Sequence, residues 1–146
     1  MLLNIDAVLD TLITSRTRVK LLMKFFLNSR TTSYLRDLEN EFDESTNAIR
    51  VELNRFEKAG LLNTEMAGNK KMYRANRRHP LFPDIHGLLM KHTGIDQILD
   101  RVVTKLGGLH CAYVIGSFAR GKDNPVIDLL LVGNAIDREY LLRLIE

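Results

Sequence analysis

The sequence predicts an α+β chain: a helical N-terminal domain closed by a β-hairpin, a helical connector, and a small C-terminal α/β module. Three observations carry that expectation. Apolar residues recur at helical spacing through 7–27, 32–42 and 45–60, and a Gly-Asn pair then joins two short strand-like runs. The last third changes character, with apolar runs of strand length set around a Gly-Ser turn. Residues 1–79 hold 14 Lys and Arg against 10 Asp and Glu, whereas 80–146 hold 7 against 8.

The 146 residues are 45% apolar and 27% charged, the balance of an ordinary soluble globular protein. No stretch approaches the roughly 20 apolar residues of a membrane span. The opening MLLNIDAVLD contains acids and lacks a basic n-region, so it does not read as a signal peptide. Cys111, the one cysteine, has no partner for an internal disulfide, and a cytoplasmic protein with no membrane contact is expected. The basic excess of the first half suits a polyanionic partner, although a solvated surface would carry it equally well.

Residues 7–27 are helical in pattern, with a break near Thr14–Ser15. Ser15 can cap the segment RTRVKLLMKFFL, which Asn28-Ser29 ends. TSYLRDLENEF (32–42) places Leu35, Leu38 and Phe42 at helical spacing. Asp43-Glu44 makes a short turn, since Asp tolerates the left-handed backbone such turns need. Ser45 is a good N-cap for the segment STNAIRVELNRFEKAG, and Gly60 is a good stop. Ile49, Leu53 and Phe56 form its buried stripe, while Asn47, Arg50 and Asn54 fall on another face. Those side chains suit base edges in a major groove: Arg grips guanine and Asn adenine.

Residues 61–66 and 71–75 read as short strands, with Gly68 and Asn69 between them for a tight hairpin. The tip carries Lys70 and Lys71, with Arg74, Arg77 and Arg78 beyond, as a wing laid on a sugar-phosphate backbone would. Helix, helix, tight turn, polar-faced helix and basic hairpin, in that order, make a winged helix-turn-helix. A small helical domain with a solvated basic face is the plainer alternative. STNAIRVELNRFEKAGLL followed by GNKKMYRAN resembles the ArsR-like winged-helix transcriptional regulators, over residues 15–78. On this reading the partner is double-stranded DNA. Asn47, Arg50 and Asn54 read the groove, Ser45, Thr46 and Arg55 lie near phosphates, and Lys70, Lys71 and Arg74 position the wing.

NRRHPLFPDI (76–85), with two prolines, ends the first domain at residue 79. The connector, 80–108, turns helical from Asp84 and breaks near Thr93-Gly94. Its second helix carries Ile95, Ile98, Leu99, Val102, Val103 and Leu106 on one side and closes at Gly107-Gly108. That stripe is either core or a contact with a second copy, and a homodimer suits a protein that reads two half-sites. His79, His86, His92, His110 and Cys111 do not have metal-ligand spacing, so no metal is expected. Cys111 lies in an apolar run and reads as a buried small hydrophobe.

In the C-terminal module, 109–146, LHCAYVI reads as a buried strand, Gly116-Ser117 as a turn into a short helix, and PVIDLLLVG as a second strand. A helix follows, with Asp137 as its cap. This order resembles the nucleotidyltransferase fold of the DNA polymerase β superfamily. Gly116, Ser117, Ala119 and Gly121 match its loop, and Ile127, Asp128 and Leu129 match its acidic strand, but Pro125 stands at the family's Ser and Val126 at its first Asp. Such enzymes commonly hold two divalent ions about 4 Å apart. Side chains at i and i+2 of a strand share a face, so an Asp-x-Asp pair can hold both ions. Mg²⁺ wants hard oxygen ligands, and valine has none.

The resemblance therefore implies a degenerate, non-catalytic module with no cofactor, serving dimerisation or ligand sensing. Gly116, Ser117, Arg120 and Asp128 are its candidate nucleotide or phosphate contacts. The alternatives are a turn with no ligand, and an active nucleotidyltransferase that uses the winged helix as a docking platform. Two strands and a helix cannot hide their apolar faces alone, so this module must pack on something else. The whole reads as a DNA-binding transcriptional regulator.

Overall fold

A computed structural model describes residues 5–122 and 126–145. Part of the N-terminal leader reading, and the Pro125 position, lie outside the described residues. The chain is mixed α+β and divides into two compact units, one ending at His92 and the other starting at Thr93. Among the described residues, no helix is long and apolar enough to cross a membrane.

The first unit opens with α1 (Ile5–Leu12) and α2 (Arg16–Leu22). Ser15 separates them in extended geometry, and its Oγ accepts from the Arg18 amide at 3.2 Å, satisfying a donor the helix start leaves open. The helix then widens into π-type turns over Met23–Leu27. Leu21 with Phe25, and Leu22 with Phe26, are two i,i+4 pairs, and all four side chains are buried.

Residues 32–42, expected as one helix, divide. Thr32–Ser33 is a short strand, β1, and the helix α3 spans Leu35–Phe42. Asp43 takes the left-handed backbone (φ 52°) and donates its amide to Glu39 O, ending α3. Ser45 then caps α4 (Thr46–Lys58), accepting from the Ala48 amide at 3.2 Å. At the far end Gly60 has φ 72°, the Leu61 amide reaches Phe56 O and the Gly60 amide reaches Glu57 O, both at 2.9 Å. That paired closure is the Schellman arrangement, and it requires a residue free to adopt positive φ.

β2 (Leu62–Ala67) and β3 (Lys70–Ala75) form a hairpin across Gly68-Asn69, and the antiparallel sheet runs β1-β3-β2. Alternation gives this sheet two distinct faces. Ser33, Tyr73 and Leu62 are buried in it, while the row Thr32, Arg74 and Asn63, paired across all three strands, is exposed. The core joins Leu9, Leu21, Phe25, Phe26, Leu38, Ile49, Leu53 and Tyr73 with Leu89 of α5 (Phe82–Thr93). The Phe82 ring lies 5.8 Å from Phe26, and His86 Nδ1 is 2.7 Å from Phe26 O. The stretch expected as one connector thus divides, with α5 packed into the first core and the next helix belonging to the second unit.

The second unit contains α6 (Ile95–Lys105), β4 (Leu109–Ile115), α7 (Gly116–Ala119), β5 (Asp128–Gly133) and α8 (Arg138–Ile145). Among the described residues, Val102 and Leu106 are its buried apolar side chains. Asp137 Oδ1 accepts from the Tyr140 amide at 2.9 Å and starts α8. β4 and β5 pair antiparallel, from Leu109 opposite Gly133 to Ile115 opposite Asp128.

Two expectations fail here. β4 is not a buried strand, and Cys111 is only partly covered. Neighbours on a strand face opposite sides, and both Tyr113 (54% exposed) and Val114 (42%) are open, so neither face is covered at that point. A two-stranded sheet with short helices does not supply enough apolar surface to cover itself.

Candidate nucleic-acid interface

α4 has one face built inward and one left outward. Ile49, Leu53 and Phe56 enter the core. Between them lies Glu52, only 5% exposed. A carboxylate in that position needs partners, because desolvating an unpaired charge is costly. Arg18 of α2 supplies them, donating Nε to Oε2 at 2.8 Å and an Nη to Oε1 at 3.1 Å. Arg55 adds a third bond to Oε1 at 3.0 Å, and the Ser15 hydroxyl lies 3.5 Å away. The Arg18 hydrogen bonds hold the Glu52 carboxyl below the usual carboxylate range, against desolvation, which acts the other way.

With that side clamped, Asn47, Arg50 and Asn54 are exposed, and none has a side-chain partner among the described residues. Thr46, the first helical residue, is half-buried, and Ser45 is exposed with its hydroxyl committed to the cap. Arg55 is exposed on the same helix, but its guanidinium is engaged by Glu52.

The hairpin is fixed to α4 from its inner face. Glu57 accepts from Lys71 Nζ at 2.6 Å and from the Thr64 hydroxyl at 3.2 Å. The bond from Lys71 holds the Glu57 carboxyl low, and the same bond raises the Lys71 ammonium. Lys71 is therefore occupied within the domain. Lys70, one residue earlier, points to the other face. It is exposed, with Nζ 4.2 Å above the Tyr34 ring and 3.1 Å from Tyr34 Oη. Arg74 is also on that outer face, in a loose 3.9 Å contact with Glu65. Sequence reasoning missed Arg18, Glu52, Glu57 and Tyr34 as the groups that hold these side chains.

In the second unit, Gly116 and Asp128 do come together. Gly116 has φ 72°, and a Cβ there would run into the Asp128 carboxylate. Ser117 begins a single short turn, closed by the Arg120 and Lys122 amides on Ser117 O at 3.1 Å. The Arg120 side chain is exposed and has no partner among the described residues. β5 begins only at Asp128, so Val126 lies in a bend ahead of the strand and does not share a strand face with Asp128. Among the described residues, no three His, Cys, Asp or Glu side chains converge as a metal site would require. No family model, no curated protein and no solved structure matches this chain.

Proposed function

We propose that this chain is a DNA-binding transcriptional regulator, with residues 1–79 as a winged helix-turn-helix and α4 as its reading helix. The observation that carries this reading is the asymmetry of α4. Glu52 is tied to Arg18 on one side, and the outward side presents Asn47, Arg50 and Asn54 without internal partners. Solvent-facing donors and acceptors on a helix face held in one orientation suit base edges. The exposed Lys70 at the hairpin tip suits a phosphate. The proposed partner is duplex DNA, read by a homodimer. The open apolar residues of β4 and β5 support a second copy as their cover. Selection of bound fragments from random duplex DNA tests this. A recovered motif with two half-sites is expected, and recovery of no sequence preference contradicts it.

For the second unit, the reading is a non-catalytic nucleotidyltransferase-like module for dimerisation or ligand sensing, because the sequence holds Val126 where the resemblance places the first metal-binding Asp, and valine offers no oxygen ligand. The close approach of Gly116 and Asp128 favours one alternative, an active nucleotidyltransferase docked through the winged helix. Incubation with labelled nucleoside triphosphates and Mg²⁺ separates the two. Labelling that Asp128→Ala abolishes would favour the enzyme.

A further inference from the structure

The outer face of the first unit's sheet carries a feature that DNA reading by α4 does not use. At the hairpin base, a cleft of about 630 Å³ is lined by Arg30, Arg74, Arg77 and Arg78 together with Thr32 and Asn63, and no carboxylate residue lines it among the described residues. Arg74 touches Glu65 only at 3.9 Å. Arg30, Arg77 and Arg78 have no side-chain partner among the described residues.

Local structure gathers these four arginines from two separate stretches of chain. Pairing of β1 with β3 sets Thr32 beside Arg74, and pairing of β2 with β3 sets Asn63 on its other side. The Arg30 amide is held by Asn28 Oδ1 at 3.2 Å, just ahead of β1. Asn76 anchors the other stretch. Its amide and side chain bind Leu61 O and Gly60 O, both at 2.8 Å, and its Oδ1 accepts from the Arg78 amide at 3.1 Å. The backbone beneath the guanidiniums is therefore ordered before any ligand arrives.

We propose that this cleft binds a small anion carrying linked phosphoryl groups, of the diphosphate class. Four like charges around one cleft repel each other, and a polyanion relieves that repulsion. Guanidinium forks match phosphoryl oxygens two at a time, which a lysine cluster would not do. The volume lies within the roughly 300–1,000 Å³ of small-ligand sites. A duplex is the competing occupant, since Arg74 shares the outer sheet face with Lys70, and the small-ligand volume of the cleft favours the compact anion over it.

The test is calorimetric titration of the full chain with inorganic pyrophosphate at fixed ionic strength. Saturable one-to-one binding is expected, weakened at least tenfold in R77A/R78A and also weakened in the charge-preserving R77K/R78K, with Arg36→Ala, an exposed arginine of α3 outside the cleft, as the unaffected control. Both arginines are exposed, and a thermal melt equal to wild type confirms the variants' fold. Absence of saturable binding overturns the proposal. So does full retention in R77K/R78K, which would reduce the cleft to a cationic surface. Displacement of pyrophosphate by a short DNA duplex, with duplex affinity lost in R77A/R78A, also overturns it by making the cleft part of a nucleic-acid footprint. Failure of Arg50→Ala to affect DNA binding would leave this result intact, so the two readings fail separately.

Discussion

Glu52 of α4 accepts two hydrogen bonds from Arg18 of α2, at 2.8 and 3.1 Å, and this pairing decides which side of α4 faces outward. The two residues are 34 positions apart. They convert a helix with polar residues on several sides into one with a fixed inward face, leaving Arg50 and Asn54 in solvent.

Removal of one partner leaves the other uncompensated. Arg18→Ala strands a largely buried carboxylate with only Arg55 and the more distant Ser15 hydroxyl beside it. A destabilisation of about 1.5–3 kcal/mol is expected, the range for a hydrogen bond to a charged group. Urea unfolding measures it, and a change within about 0.5 kcal/mol, as at an ordinary surface site, would contradict the assignment.

The same pair sets a pH dependence. The folded Glu52 carboxyl is held below its ordinary value of 4.5, first by the Arg18 hydrogen bonds. A depressed folded-state value contributes stability that is fully present above the unfolded value and lost as pH falls through the folded one. Glu57, held low by Lys71, acts with the same sign. Stability should therefore fall below pH 4.5 in wild type. Glu52→Gln should show a shallower acid decline, starting from lower stability at neutral pH. An acid limb parallel to wild type would sink this account.

Much of α4 is legible in the sequence because single residues mark both ends: Ser45 caps it and Gly60 supplies the positive φ that stops it. β1 is not legible, since two residues are too short for any period and their strand state comes from pairing with β3. Glu52 did leave a signal. It stands three after Ile49 and four before Phe56, so a charge occurs within the apolar stripe, and such a charge requires a partner. The identity of that partner depends on how α2 crosses α4, which spacing does not give. The openness of β4 was hidden for a similar reason: LHCAYVI carries the apolar run of a buried strand, whatever covers it.

The two hairpin lysines should behave differently. Lys71 is spent on Glu57, whereas Lys70 is exposed. Lys70→Ala should weaken binding to all duplexes and reduce the steepness of log K against log salt by about 0.9, one phosphate contact. Lys71→Ala should cost domain stability with a smaller change in slope. Equal slopes for Lys70→Ala and wild type would remove the hairpin from the interface.

Gly116 offers a test of the second unit. Alanine there meets two separate costs, a positive φ and a collision with the Asp128 carboxylate. The backbone part alone is about 1–2 kcal/mol. Gly116→Ala should speed hydrogen exchange of the β4 and β5 amides, and Asp128→Ala in the same chain should restore part of the protection. Additive losses would show that the two residues do not meet.

The central claim is that the outward side of α4 reads duplex DNA. It is tested most directly by gel-shift titration of wild type and Arg50→Ala against the motif recovered by selection, and against unrelated duplex. The expected result is a loss of about 1–3 kcal/mol on the motif and little change on unrelated DNA. Equal affinity of the two proteins for the motif would contradict it.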